Sequence, residues 1–172
     1  IENWIKGEQI IRPVTPQPEK PKIMTPVNLT SYNKLVQLSQ EFMYAAKTGD
    51  STDPFVRSLK ELRFDDLKTR LQSDEEKKAF WINLYNGYTQ VLLKQNPDSY
   101  KNRGNFFSSK KIILAGRLFS LDDIEHGILR RSKIKWSLGH LNKLFPGKIE
   151  KELRVHDLDY RLHFALNCGA KS

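Results

Sequence analysis

Residues 79 to 93, AFWINLYNGYTQVLL, are apolar on nearly every side of a helical cylinder, and this stretch restricts the fold more than any other. A surface helix keeps a polar face, so a helix of this kind has to be surrounded. Ser73, with Glu76 three residues on, makes a capping box that would open it, and Asn96-Pro97 would close it. The spacing predicts a buried central helix over 74–94. One polar stripe interrupts it: Asn83, Asn86 and Gln90 fall at i, i+3 and i+7, on one side of the cylinder. Buried amides need partners, since each hydrogen bond left unmade costs about 1 to 3 kcal/mol. The stripe therefore either ties the helix to neighbouring backbone or lines a polar site.

The sequence around it supplies the cover. Leu35, Leu38, Phe42, Met43 and Ala46 recur at helical spacing between Ser31 and Lys47, ahead of a stop at Gly49. Phe55, Leu59, Leu62, Phe64 and Leu67 predict one or two short helices within 54–71. SYKNRGNFFSSKK reads as a basic loop, and KIILAGRLFS as a hairpin near 111–119 turning at Ala115-Gly116. Ser120 would cap the short helix SLDDIEHGILRR, with Asp122 and Asp123 at its positive end and Arg130 and Arg131 at its negative end. Trp136, Leu138, Leu141, Leu144 and Phe145 predict another helix, and RLHFALNC a strand over 161–168. The expected fold is α+β: one helix-rich domain with a small antiparallel sheet, built from the hairpin and strand 161–168, around the central helix.

Residues 13 to 26 hold five of the eight prolines, which predicts an extended linker. Trp4, Ile5, Ile10 and Ile11 before it are enough for a docking arm and too few for a core. Residues 1–30 are thus expected to be arm and linker, and 31–172 the domain. A first residue other than methionine predicts further chain upstream.

The net charge of +9 and pI near 9.6 point to an anionic partner such as nucleic acid, a membrane surface or an acidic polymer. No known nucleic-acid module or ladder of stacking aromatics accompanies the charge, so specific nucleic-acid recognition is not expected. No apolar run reaches the roughly 18 residues of a membrane span. A single cysteine excludes an intrachain disulfide and any zinc site needing two cysteine ligands. No short ligand spacing joins His126, His163, Glu125 and Cys168, and neither metal nor cofactor is expected.

Cys168 is the residue with most chemical potential. Strand alternation would put His163, Ala165 and Asn167 on one face and Leu162, Phe164, Leu166 and Cys168 on the other. On that pattern Cys168 is a small buried hydrophobe. It becomes a nucleophile if the chain turns away at Gly169, and then His126 is a better base than His163.

Three blocks, AFWINLYNGYTQ (79–90), RLFSLDDIEHGILR (117–130) and RLHFALNCGAKS (161–172), in this order and spacing, resemble the DUF547 family over about residues 57–172. Members occur in bacteria, often exported, and in plants and animals joined to other domains. The resemblance implies an exported bacterial location (periplasmic, cell-surface or secreted), while the composition leaves the cytoplasm open. Family members usually show Asn-Ala-Tyr and Asp-Pro-Arg where this chain has Asn86-Gly87-Tyr88 and Asp159-Tyr160-Arg161. Many bacterial members continue past the final Ala-Lys-Ser, so the domain is expected to be incomplete at its C-terminus. The family pattern falls on Trp81, Asn83, Tyr85, Asn86, Asp122, Glu125, His126, Gly127, His163, Asn167, Cys168 and Gly169.

That set implies two readings. One is cysteine-dependent acyl transfer or amide hydrolysis of the papain or transglutaminase kind, with Cys168 as nucleophile, His126 as base, and Glu125 or Asn83 orienting the imidazole or the oxyanion. The other is a non-catalytic ligand or protein-interaction scaffold with a basic surface. In either, Trp81, Tyr85, Asn86, His163 and Asn167 would contact the ligand.

Overall fold

The computed structural model describes residues 33–133, 144 and 146–166. The arm and linker of 1–30, most of the helix predicted between Trp136 and Phe145, and the candidate site residues Asn167 and Cys168 lie outside the described residues.

The fold is helix-rich α+β, with the long helix at its centre. Helix α1 (Lys34–Thr48) starts where Asn33 Oδ1 accepts from the Leu35 N–H, and stops at Gly49, whose left-handed φ of 85° lets its N–H reach the Ala45 carbonyl. Two short helices follow, α2 (Asp53–Glu61) and α3 (Phe64–Arg70). Helix α4 (Asp74–Gln95) opens with the capping box: Glu76 N–H donates to Ser73 Oγ, and Ser73 N–H to Glu76 Oε2, both at 3.2 Å. Phe80, Trp81, Leu84 and Tyr85 on α4 have no exposed surface, and α1 packs along it. The two helices approach closely at Gly87, where a Cβ would stand 2.5 Å from Phe42 Cε1.

Strands β1 (Ile112–Leu114) and β2 (Arg117–Phe119) pair antiparallel, Ile112 opposite Phe119. Both turn residues, Ala115 and Gly116, have positive φ (50° and 68°), as a two-residue hairpin turn matching strand twist requires. Their N–H groups donate to the carbonyls of Leu59 and Lys60, satisfying acceptors that the end of α2 leaves over.

Three segments differ from the sequence reading. The basic loop is instead a 3-10 turn (Pro97–Lys101) and helix α5 (Arg103–Ser108). Asn96 and Asn102 side chains accept from the N–H groups of Ser99 and Asn105 to start them, and Phe106 and Phe107 bury α5. The helix capped by Ser120 is present, with Asp123 N–H on Ser120 Oγ at 3.0 Å, but Asp123–Leu129 is wound as a π-helix. Its carbonyls are met five residues on: Arg130 N–H reaches Glu125 O, and Ser132 N–H reaches Gly127 O, each at 2.8 Å. Helix α6 (Lys148–Leu153) lies against it, close enough that a Cβ on Gly127 would stand 3.0 Å from Glu150 Oε1.

The strand expected over 161–168 is replaced, within the described residues, by one helical turn, α7 (Leu162–Ala165). Leu162, Phe164 and Leu166 fit strand alternation, but Leu162 and Leu166 are also i, i+4. The structure buries those two and leaves Phe164 85% exposed. With a helical turn at Leu162–Ala165, strand alternation does not assign His163 a face. Among the described residues the sheet consists of the hairpin, and no helix is long and apolar enough to cross a membrane.

Candidate functional site

Tyr85 and Glu125 are both buried, one on α4 and one on the π-helix, and the Tyr85 hydroxyl donates to Glu125 Oε2 at 3.0 Å. Burial of a carboxylate has to be offset by charge and hydrogen bonds. Arg130 supplies the charge, its Nη2 donating to Glu125 Oε1 at 3.0 Å. The sequence reading placed Arg130 only at the helix end. Five residues are about 140° round an α-helix, and the π-winding is what brings residues 125 and 130 to one side.

Beside this pair an open cavity of about 360 Å3 lies between α4, α5 and the π-helix. Its wall includes Tyr85, Phe107, Asp122, Glu125 and His126, with Arg103 at one side. His126 Nε2 stands 3.8 Å from Asp122 Oδ1 and 4.0 Å from Glu125 Oε1. These are electrostatic separations rather than hydrogen bonds. The Tyr85 and Phe107 rings are stacked, their planes within 10°, and the Arg103 guanidinium lies over Tyr100 at 4.9 Å from the ring centre. Arg103 and Phe107 belong to the segment read as a loop, and the doubled Phe106-Phe107 was the signal that it packs.

A second line of contacts runs from Glu125 towards α7. Arg130 Nη2 lies 3.5 Å from His163 Nδ1, and Asn86 Nδ2 donates to the Ala165 carbonyl at 3.0 Å. Asn86 thus does tie the central helix to neighbouring backbone, and the backbone it holds is the turn that precedes Asn167 and Cys168.

Two candidates stand elsewhere. Trp81 is fully buried in the core, its ring against Phe80 and Phe119 and its Nε1–H without a partner among the described residues. Asn83 donates to Ser39 Oγ at 3.2 Å in the α1–α4 contact and is not among the residues lining the cavity beside His126. Asn167 and Cys168 lie outside the described residues. Among those residues, no three His, Cys, Asp or Glu side chains gather as metal ligands would.

A family model described as "Protein of unknown function, DUF547" matches residues 69–172. No curated protein and no solved structure matches the chain. The family match takes in α4, the hairpin, the π-helix and α7, and with them Tyr85, Asn86, Glu125, His126 and His163. Covering more than half of the sequence, it shows that this chain belongs to the DUF547 family.

Proposed function

We propose that the domain is a cysteine-dependent enzyme of acyl transfer or amide hydrolysis, with Cys168 as nucleophile, His126 as general base and Asp122 as the group that orients the imidazole. The observation that carries this reading is His126 itself, set on the wall of an open cavity between two carboxylates at 3.8 and 4.0 Å. Asp122 is the nearer of the two carboxylates, and Glu125 is held by Tyr85 and Arg130, so Asp122 is assigned the orienting role.

In the reaction, His126 takes the thiol proton and the sulfur attacks the amide carbonyl. The tetrahedral intermediate then expels the amine, which leaves with the proton from His126. Water or an acceptor amine resolves the thioester with His126 again as base. Asn83, turned to Ser39, takes no part.

The second reading is a ligand-binding scaffold with a basic surface. It is favoured by Glu125, whose two oxygens are already taken by Tyr85 and Arg130 without any substrate. Alkylation of the single cysteine by iodoacetamide across neutral pH separates the two. The enzyme reading expects a thiolate formed well below the free-cysteine pKa of about 8.5, and slower reaction in His126→Ala. An ordinary thiol profile, the same in both proteins, overturns it.

A further inference from the structure

We propose that the cavity of about 370 Å3 between the end of the π-helix and α7 binds a carboxylate carried beside an apolar group. The cavity is separate from the one beside His126, and the assignment stands whether or not Cys168 is a nucleophile.

Its polar wall is cationic. Arg130, Lys133 and His163 meet there. Arg130 gives Nη2 to Glu125, while its Nε is buried without a partner among the described residues. Lys133 forms no ion pair among the described residues. Asp159 on the same wall is already taken: Arg161 donates to its two oxygens at 2.9 and 2.8 Å, and Lys78 stands at 3.5 Å. Arg130 Nη2 also lies 3.5 Å from His163 Nδ1, and since arginine can only donate, Nδ1 is the acceptor in that contact.

With Arg130 balanced by Glu125, Lys133 is a cation of this wall that no carboxylate pairs among the described residues, which gives the wall one positive charge to offer. That suits a singly charged carboxylate better than a phosphate, which carries close to two negative charges. The other wall is Leu158, Tyr160 and Leu162, with Leu158 48% and Tyr160 83% exposed. Donors on one side and uncovered apolar surface on the other fit the terminal carboxylate of a peptide ending in an aliphatic residue.

The test is titration of the chain with 4-methylpentanoate, its neutral isostere 4-methylpentanamide, and inorganic phosphate, followed by NMR shifts of Lys133, Tyr160 and His163. The acid should bind at least about tenfold more tightly than the amide and more tightly than phosphate. Lys133→Gln should remove about that preference while leaving amide binding unchanged, and Lys133→Arg should keep it. Equal binding of acid and amide, tighter binding of phosphate, no binding, or an unaltered preference in Lys133→Gln would each overturn the assignment.

Discussion

The Tyr85 hydroxyl donates to the Glu125 carboxylate at 3.0 Å inside the protein, joining the central helix to the π-helix at the edge of the cavity. Arg130 holds the other oxygen of the same carboxylate. The carboxylate is therefore held by both the central helix and the end of the π-helix, with His126 Nε2 4.0 Å from one of its oxygens.

Tyr85→Phe keeps the ring stacked on Phe107 and deletes the donor to a buried charge. The expected loss is about 1.5 to 3 kcal/mol, read as a lower urea midpoint with an unchanged slope. A midpoint equal to wild type would show that water replaces the hydroxyl and that Arg130 alone holds Glu125.

Gly87→Ala ought to stabilise α4 by about 1 kcal/mol on helix propensity alone. Here the added methyl would meet the Phe42 ring at 2.5 Å. Overpacking of this kind costs roughly 1 to 3 kcal/mol, so the variant should be destabilised on balance. Adding Phe42→Leu should recover part of the loss, and a double-mutant cycle measures the coupling. Additive effects would mean that the helices separate freely.

Much of this was legible because local rules and global packing agreed. Ser73 and Glu76 marked the start of α4, Gly49 the end of α1, and Ala115-Gly116 the hairpin turn. Two features escaped for the same reason, that a hydrophobic pattern can satisfy more than one period. Leu162 and Leu166 fit both a strand face and one helical turn. Leu121, Ile124 and Ile128 form an apolar face at helical spacing that does not tell whether the backbone closes at four or five residues, and it is this choice that pairs Glu125 with Arg130. Asn83 and Asn86, adjacent in the polar stripe, have different partners, Ser39 on α1 and Ala165 before Cys168. Sequence could predict that both amides are bonded and could not say to what.

Tyr88 is buried with its hydroxyl unpartnered among the described residues, and burial pushes its pKa up to about 12. Tyr88→Phe should be neutral or stabilising at pH 7, since it removes a desolvated donor and keeps the ring 4.8 Å from that of Phe42. The sign at high pH follows. An unfolded tyrosine ionises near pH 10 and the folded one later, so this residue lowers stability as pH rises past about 10. The variant should lose less stability than wild type there, as chemical denaturation at several alkaline pH values would show.

Asp74 accepts from the backbone N–H groups of His156 and Asp157, binding the chain after α6 to the start of α4. Burial would raise its pKa, but these bonds outweigh burial and hold the carboxyl below its usual range. Glu76 is lowered as well, chiefly by the Asn33 amide. Carboxylates with depressed folded pKa values stabilise fully above the unfolded value, near 4, and lose that contribution as pH falls through the folded one. Stability should be level above about pH 5.5 and decline below about pH 5. Asp74→Asn should lower the plateau and make the acid decline shallower; an equally steep decline would place the sensitivity elsewhere.

Asp122→Asn and Asn83→Ala separate the site from the scaffold. If Asp122 orients His126, replacing it by its neutral isostere removes the charge at 3.8 Å while leaving fold and cavity in place. Proton transfer by a positioned base contributes typically 10²- to 10⁴-fold, so losing its orientation should slow Cys168 alkylation near pH 7 by at least about tenfold. Thermal stability should stay close to wild type. Asn83→Ala breaks the bond to Ser39 and should do the opposite, lowering stability by about 1 kcal/mol with Cys168 reactivity unchanged. The ratio of the two effects in one alkylation assay decides the matter. Should Asn83→Ala slow the thiol as much as Asp122→Asn, reactivity is tracking global stability rather than the imidazole, and His126 loses its assigned role.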